Sequence, residues 1–280
     1  MENEPYQALD TAIWAAAFLA HPYHHPTIGW RSDIETISID RLQQFYNEFY
    51  WPDNATITVA GGFDTTDVLK QIKTAFGGLT KNPQPYPGMH TLEPIQQGER
   101  RVTIHRNGFN LFGSAYKMPS AAHPDIPALA ILGLILMDGK TSRLHRALVD
   151  TNKATTVGGS WDGHMDPGLF QIWASISDGV PHAKVEESIQ KEISKITDTP
   201  VTSAELKKAQ ISMRIAIASR RDGVYAFLES VNEAIAVGDW TQFVTLPEKY
   251  QNVTVKDVQR VARTYLVKDQ STVGWFISKS

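Results

Sequence analysis

Apolar residues recur every three or four positions through the first twenty residues. In "PYQALDTAIWAAAFLA", residues 5–20, Leu9, Ile13, Ala16, Ala17 and Ala20 share one face, which predicts a helix. Pro22 stops it, because proline brings no backbone N–H to the ladder. A second amphipathic helix lies in "SIDRLQQFYNEFYWPDN", with Leu42, Phe45, Tyr46 and Phe49 on one face and Pro52 at its end. The spacing then falls to two: "ATITVAGGF" predicts a strand closed by the Gly61-Gly62 pair. "DTTDVLKQIKTAFGG" returns to helical spacing, capped near Asp64 and closed by Gly77.

Periodicity then lapses. The run from 78 to 97 carries four prolines and two glycines, and 81–97 reads as a linker. Beyond it come two strand patterns, "RRVTIHR" and "FNLFGSAYKM", and a buried helix, "DIPALAILGLILM". The helical "TSRLHRALVD" precedes two more strands, "TTVGGSWDG" and "GLFQIWASIS", joined by a turn at Asp166-Pro167-Gly168. The remainder is helical up to a last strand, "STVGWFIS". Helices and strands in blocks rather than in strict alternation predict an α+β fold.

Composition narrows the function. With 280 residues, 42% hydrophobic and 20% charged, the chain has ample core for two modest domains. A net charge of −3 without a basic stripe gives no reason to expect nucleic acid as a partner. The absence of cysteine excludes disulfides, thiolate metal sites and a cysteine nucleophile. No apolar run approaches the ~20 residues of a membrane span. The start, "MENEPYQALD", is not a signal peptide, and nothing else chooses between a periplasmic and a cytoplasmic location.

The chain repeats itself. "SIDRLQQFYNEFYWPDNATITV" from Ser38 aligns without a gap on "TVKDVQRVARTYLVKDQSTVGW" from Thr254. Leu42 falls on Val258, Phe45 on Val261, Phe49 on Tyr265, Asp53 on Asp269 and Thr56 on Thr272, at a constant offset of 216. Each copy is a helix, a polar turn and a strand. The offset measures a unit of 216 residues including linker; the second unit runs from about 98 to 280, which leaves only the end of an earlier copy over residues 1–80. On this reading a front portion on the order of 120 residues is missing from the first copy.

"HPYHHPTIGWRSDIETISIDRLQQFYNEFYWPDNATITVAGGFD" resembles the M16 family (insulinase, pitrilysin and mitochondrial processing peptidase), in its two-domain bacterial zinc-peptidase branch. "DGKTSRLHRALVD" resembles the motif near the start of that family's second, non-catalytic domain. The resemblance implies tandem homologous α+β domains, each an antiparallel sheet with helices on one face, closing like a clamshell on an unfolded peptide. It places 1–80 at the end of the first domain, truncated at its N-terminus, and 98–280 as the complete inactive domain. It also implies a zinc held by an inverted H-x-x-E-H motif, whose Glu is the general base, and by a further Glu downstream. No H-x-x-E-H occurs here. The chain alone is therefore expected to bind no catalytic zinc. Its expected partners are a peptide or unfolded polypeptide and a zinc-bearing M16 chain or a second copy of itself. A natural non-catalytic subunit and a structural assembly module remain the alternatives.

His21, His24 and His25 crowd one short stretch, but Pro22 breaks the helix that a four-residue ligand spacing needs. They read as a helix end and ordered loop, with His21 meeting the last helical carbonyls. In active M16 enzymes the second motif supplies an Arg and, seven residues on, a Tyr that hold the substrate backbone. By position these are Val149 and Thr156 here. Together with Ser142 and Arg143 they are the substrate-facing candidates, against a reading of Ser142, Arg143 and Arg146 as a solvated helix face. Asp162, His164 and Asp166 read as a hairpin turn. An extended peptide added to a sheet edge would use either "ATITVAGG" or "TTVGGSWDG".

Overall fold

The computed structural model describes residues 4–88, 91–161 and 163–279. Helix α1 covers Pro5–Ala17, α2 Arg31–Thr36, α3 Ile39–Phe49 and α4 Thr65–Phe76. After the linker come β1 (Arg100–Arg106), β2 (Leu111–Met118), α5 (Ile126–Met137), β3 (Ala154–Ser160) and β4 (Gly168–Ile176). Helices α6 (His182–Asp198), α7 (Ser203–Arg220), α8 (Val224–Ala236), α9 (Gln242–Gln251) and α10 (Val255–Tyr265) follow, and β5 (Ser271–Ser278) ends the chain. "TSRLHRALVD" contributes a π-helical turn, His145–Val149, rather than a regular helix.

The strands form one sheet in the order β1-β5-β2-β4-β3. The expected α+β fold is present. The sheet is antiparallel except that β1 runs parallel to β5. Side chains alternate across it, as pleating requires. Phe112, Tyr116, Phe170, Ile172, Ala174 and Val273 face the main core with α5, α6 and α10. Helix α5 is buried at every position but Leu134, because the sheet, α7, α9 and α10 surround it.

The sheet's other face is covered as well, by a helix from residues 1–80. Helix α1 lies there, burying Leu9, Ile13 and Ala17 against Leu111, Ala115, Leu169 and Phe276. Two glycines make this possible. Gly113 and Gly274 are paired across β2 and β5. A Cβ on Gly113 would lie 2.6 Å from Ile13, and one on Gly274 would lie 2.8 Å from Leu9. The helix sits in a trough that only hydrogen side chains leave open.

The internal repeat holds to the residue. Offset by 216, α3 maps onto α10, and the 3-10 turn Pro52–Asn54 maps onto the turn Lys268–Gln270. The caps match as well: Ser38 accepts from the Arg41 N–H, as Thr254 does from that of Asp257. Burial does not match. Val258, Val261, Ala262 and Leu266 are 0–5% exposed, whereas their counterparts Leu42, Phe45, Tyr46 and Tyr50 are 53–64% exposed. The segment 55–62, counterpart of β5, is not a strand, against expectation. β5 is a strand because β1 and β2 flank it, and no described strand lies beside 55–62 to satisfy its backbone.

Two outcomes follow from this packing. Gly113→Val or Gly274→Val is expected to cost about 2 kcal/mol in denaturant unfolding by lifting α1 from its trough. Val261→Ala is expected to cost about 2 kcal/mol, and Phe45→Ala within about 0.5 kcal/mol. Equal costs at positions 45 and 261 would contradict the burial difference.

Candidate functional site

The polar side of α1 carries the residues that the trough leaves uppermost. Gln7, Asp10, Thr11 and Trp14, at helical spacing, form one wall of an open pocket of about 470 Å³. Tyr23, His25, Pro26, Thr27 and Ile28 from the loop after α1 form the second wall, and His164 from the β3–β4 turn forms the third. The rings of Trp14, Tyr23 and His164 meet edge to face at centroid distances of 5.4–6.0 Å. Asp10 accepts from Gln171 Nε2 at 2.6 Å and from the Trp14 side chain. Burial pushes the Asp10 carboxyl up, and these hydrogen bonds only partly oppose it. A half-buried carboxylate set against aromatic faces suits a side chain that brings hydrogen-bond donors.

Beside the pocket runs β3, which pairs with β4 and, among the described residues, with nothing on its outer side. A polar seam joins it to α1: Tyr6 Oη contacts the Ser175 hydroxyl, Thr156 donates to Ser175 at 3.0 Å, and Ser160 donates to Gln171 at 3.0 Å. A larger depression of about 710 Å³ lies between the polar side of α3 and the proline-rich linker, but none of its lining residues is buried.

The loop after α1 is held by groups from the linker and from β1 and β2 beyond it. Arg100 Nη1 donates to the carbonyls of Ala16 and Ala17 at 2.8 and 2.9 Å, so the last helical carbonyls meet Arg100 and not His21. Glu93 accepts from the backbone N–H groups of Leu19, Ala20 and His21. Burial pushes the Glu93 carboxyl up, but these three donors and Lys117 outweigh it and hold it at about 2 rather than 4.5. Desolvation brings Lys117, whose Nζ lies 3.4 Å from the Phe18 ring centroid, down to about 8 against the pull of Glu93.

The three early histidines are all engaged by their own loop. His21 Nδ1 accepts from the Tyr23 N–H, His24 Nδ1 meets the His21 carbonyl, and His25 Nδ1 accepts from Trp30 Nε1. Among the described residues no group of three or more His, Cys, Asp or Glu is placed to hold a metal ion. This donor set does not fit a zinc centre.

The positions carried over from the second-domain motif do not converge. Arg143 makes a two-point ion pair with Glu205 of α7 at 2.8 and 3.1 Å. Ser142 is buried with an unpartnered hydroxyl, so neither belongs to a solvated face. Val149 is half-buried in the π-helical turn, and Thr156 stands on β3 beside Tyr6 and Ser175. His164 and Asp166 do lie in the predicted turn, with Asp166 Oδ2 3.6 Å from His21 Nε2, while Asp162 lies outside the described residues. Asp10, Trp14, Glu93 and Lys117 were not anticipated. The first two were legible as the polar stripe of α1; Glu93 and Lys117 meet only in three dimensions.

The fold is that of a bacterial peptidase domain. The structure superposes on a protease from Helicobacter pylori with a TM-score of 0.92 and 25% identity, covering 99% of this chain and 68% of that one. A fold at 15% identity and a TM-score of 0.84 is shared with a peptidase M16 inactive domain from Pseudomonas fluorescens, over 100% of this chain and 66% of the other. The chain belongs to the M16 peptidase family: the family model for the peptidase M16 inactive domain matches residues 36–213. It is 28% identical over 278 residues to the zinc protease PqqE of Helicobacter pylori, which covers 97% of this chain. The chain spans 62% of that relative's length.

Glu93→Gln tests the loop's electrostatic anchor. A carboxyl held low stabilises the fold above its unfolded value, and that contribution is lost as pH falls through the folded one. The substitution is expected to cost about 2 kcal/mol at pH 7, after allowance for solvent screening. In denaturant unfolding the gap to the wild type should narrow between pH 4.5 and about 2. A gap unchanged across that range would contradict the assignment.

Proposed function

We propose that this chain is the non-catalytic, peptide-holding part of an M16-type zinc peptidase. Residues 1–80 end the first domain, 81–97 link, and 98–280 form the inactive domain. The observation that carries the reading is the outer edge of β3 beside the α1 pocket. An extended peptide adds to that edge through backbone hydrogen bonds and places a donor-bearing side chain against Asp10. Thr156 stands on the edge itself, whereas Ser142, Arg143 and Val149 support the turn behind it.

Hydrolysis belongs elsewhere in this reading, since the described residues do not compose a zinc site. The bare apolar side of α3 and the unpaired segment 55–62 are where the remainder of the first domain seats. A separate zinc-bearing chain would use the same face, and in its absence a second copy of this chain would cover it.

The chain should purify without stoichiometric zinc and without peptidase activity. It should bind a disordered polypeptide such as reduced, alkylated casein, with Asp10→Asn weakening binding about tenfold by fluorescence anisotropy. Concentration-dependent association in sedimentation should diminish in Phe45→Glu. One zinc per chain with turnover abolished by a chelator would sink the proposal, as would casein binding that ignores Asp10.

A further inference from the structure

Helix α1 ends at Ala17, so the amides of Leu19, Ala20 and His21 have no helical acceptor. All three turn toward one carboxylate from the linker. The Leu19 N–H donates to Glu93 Oε1 at 2.9 Å, and those of Ala20 and His21 donate to Oε2 at 2.8 and 3.0 Å. Consecutive amides in this arrangement form an anion nest, and a charged acceptor makes each bond stronger than a neutral one would. Lys117 closes the far side, with its Nζ 3.3 Å from Oε1.

The carboxylate is itself fixed. Three residues on, Gln96 Nε2 donates to the carbonyls of Ser271 and Gly98, which pins the linker to β5. The nest is therefore referenced to the sheet. From it the loop's geometry follows in order. The His21 side chain accepts from the Tyr23 N–H at 3.1 Å, and the His21 carbonyl meets His24 Nδ1 at 2.7 Å. The Tyr23 hydroxyl accepts from the Asp166 N–H at 3.4 Å, which brings the Tyr23 ring to the pocket wall.

We propose that Glu93 is the positioning residue of this pocket, acting through the backbone amides of Leu19, Ala20 and His21 to set His21 and Tyr23 against the β3–β4 turn. It does not line the cavity. Its effect on anything bound there is transmitted by the loop. Describing the cavity as a peptide pocket rests on the proposed function; the geometry assigned to Glu93 does not.

Glu93→Ala empties the nest, and small carboxylates can refill it. In the variant, amide exchange at residues 19–21 should accelerate about 10–100-fold while β5 amides keep their wild-type rates. The ¹⁵N signal of His21 Nδ1 should lose its hydrogen-bonded acceptor position. Formate should restore both readouts and acetamide neither. Wild-type protection at 19–21 would overturn the proposal. So would equal acceleration in β5, which marks a general stabiliser, or rescue by acetamide as complete as by formate. Failure of the wild-type chain to bind casein would count against the peptide pocket and leave these readouts standing.

Discussion

The candidate pocket depends on one contact, the seating of α1 in the glycine trough of a sheet that begins more than eighty residues later. The trough at Gly113 and Gly274 lets Leu9 and Ile13 approach the backbone. Arg100 caps the helix's last carbonyls and Glu93 collects the amides that follow. Apolar burial supplies the attraction, while the polar clamps set direction. The polar stripe of α1 then has nowhere to face but the β3–β4 turn.

Much of the fold was legible because periodicity reflects burial. β1 and β5 occupy the residues their pattern predicted, and α4 carries the anticipated cap, Asp64. The failure at 55–62 is instructive. Its alternation encodes a strand, as the same pattern does 216 residues later, but a strand is a relation between two segments, and the partner is not beside it. Propensity stated what the segment is for; pairing decided what it does here. Likewise "TSRLHRALVD" reads as regular helix, yet it widens into a π-helical turn that packs on β3.

The site was legible only in its local parts. Pro22 ends the helical run ahead of the early histidines, which are engaged by their own loop, and the hairpin turn at 164–166 lies where it was read. Partners remote in sequence were beyond reach: nothing near Glu93 announces Leu19, and nothing near Arg143 announces Glu205. Spacing constrains neighbours on one element. It is silent on contacts that the tertiary fold creates.

Segments 55–62 and 271–278 carry the same sequence pattern in two different environments, the first with no described strand beside it and the second between β1 and β2. Residue-resolved amide hydrogen exchange on the chain measures this directly. Exchange at 55–62 should be close to that of an unstructured peptide, with amides of β5 exchanging only through global unfolding. Comparable, strong protection in both segments would contradict this, because it would mean that residues 55–62 already have their strand partners.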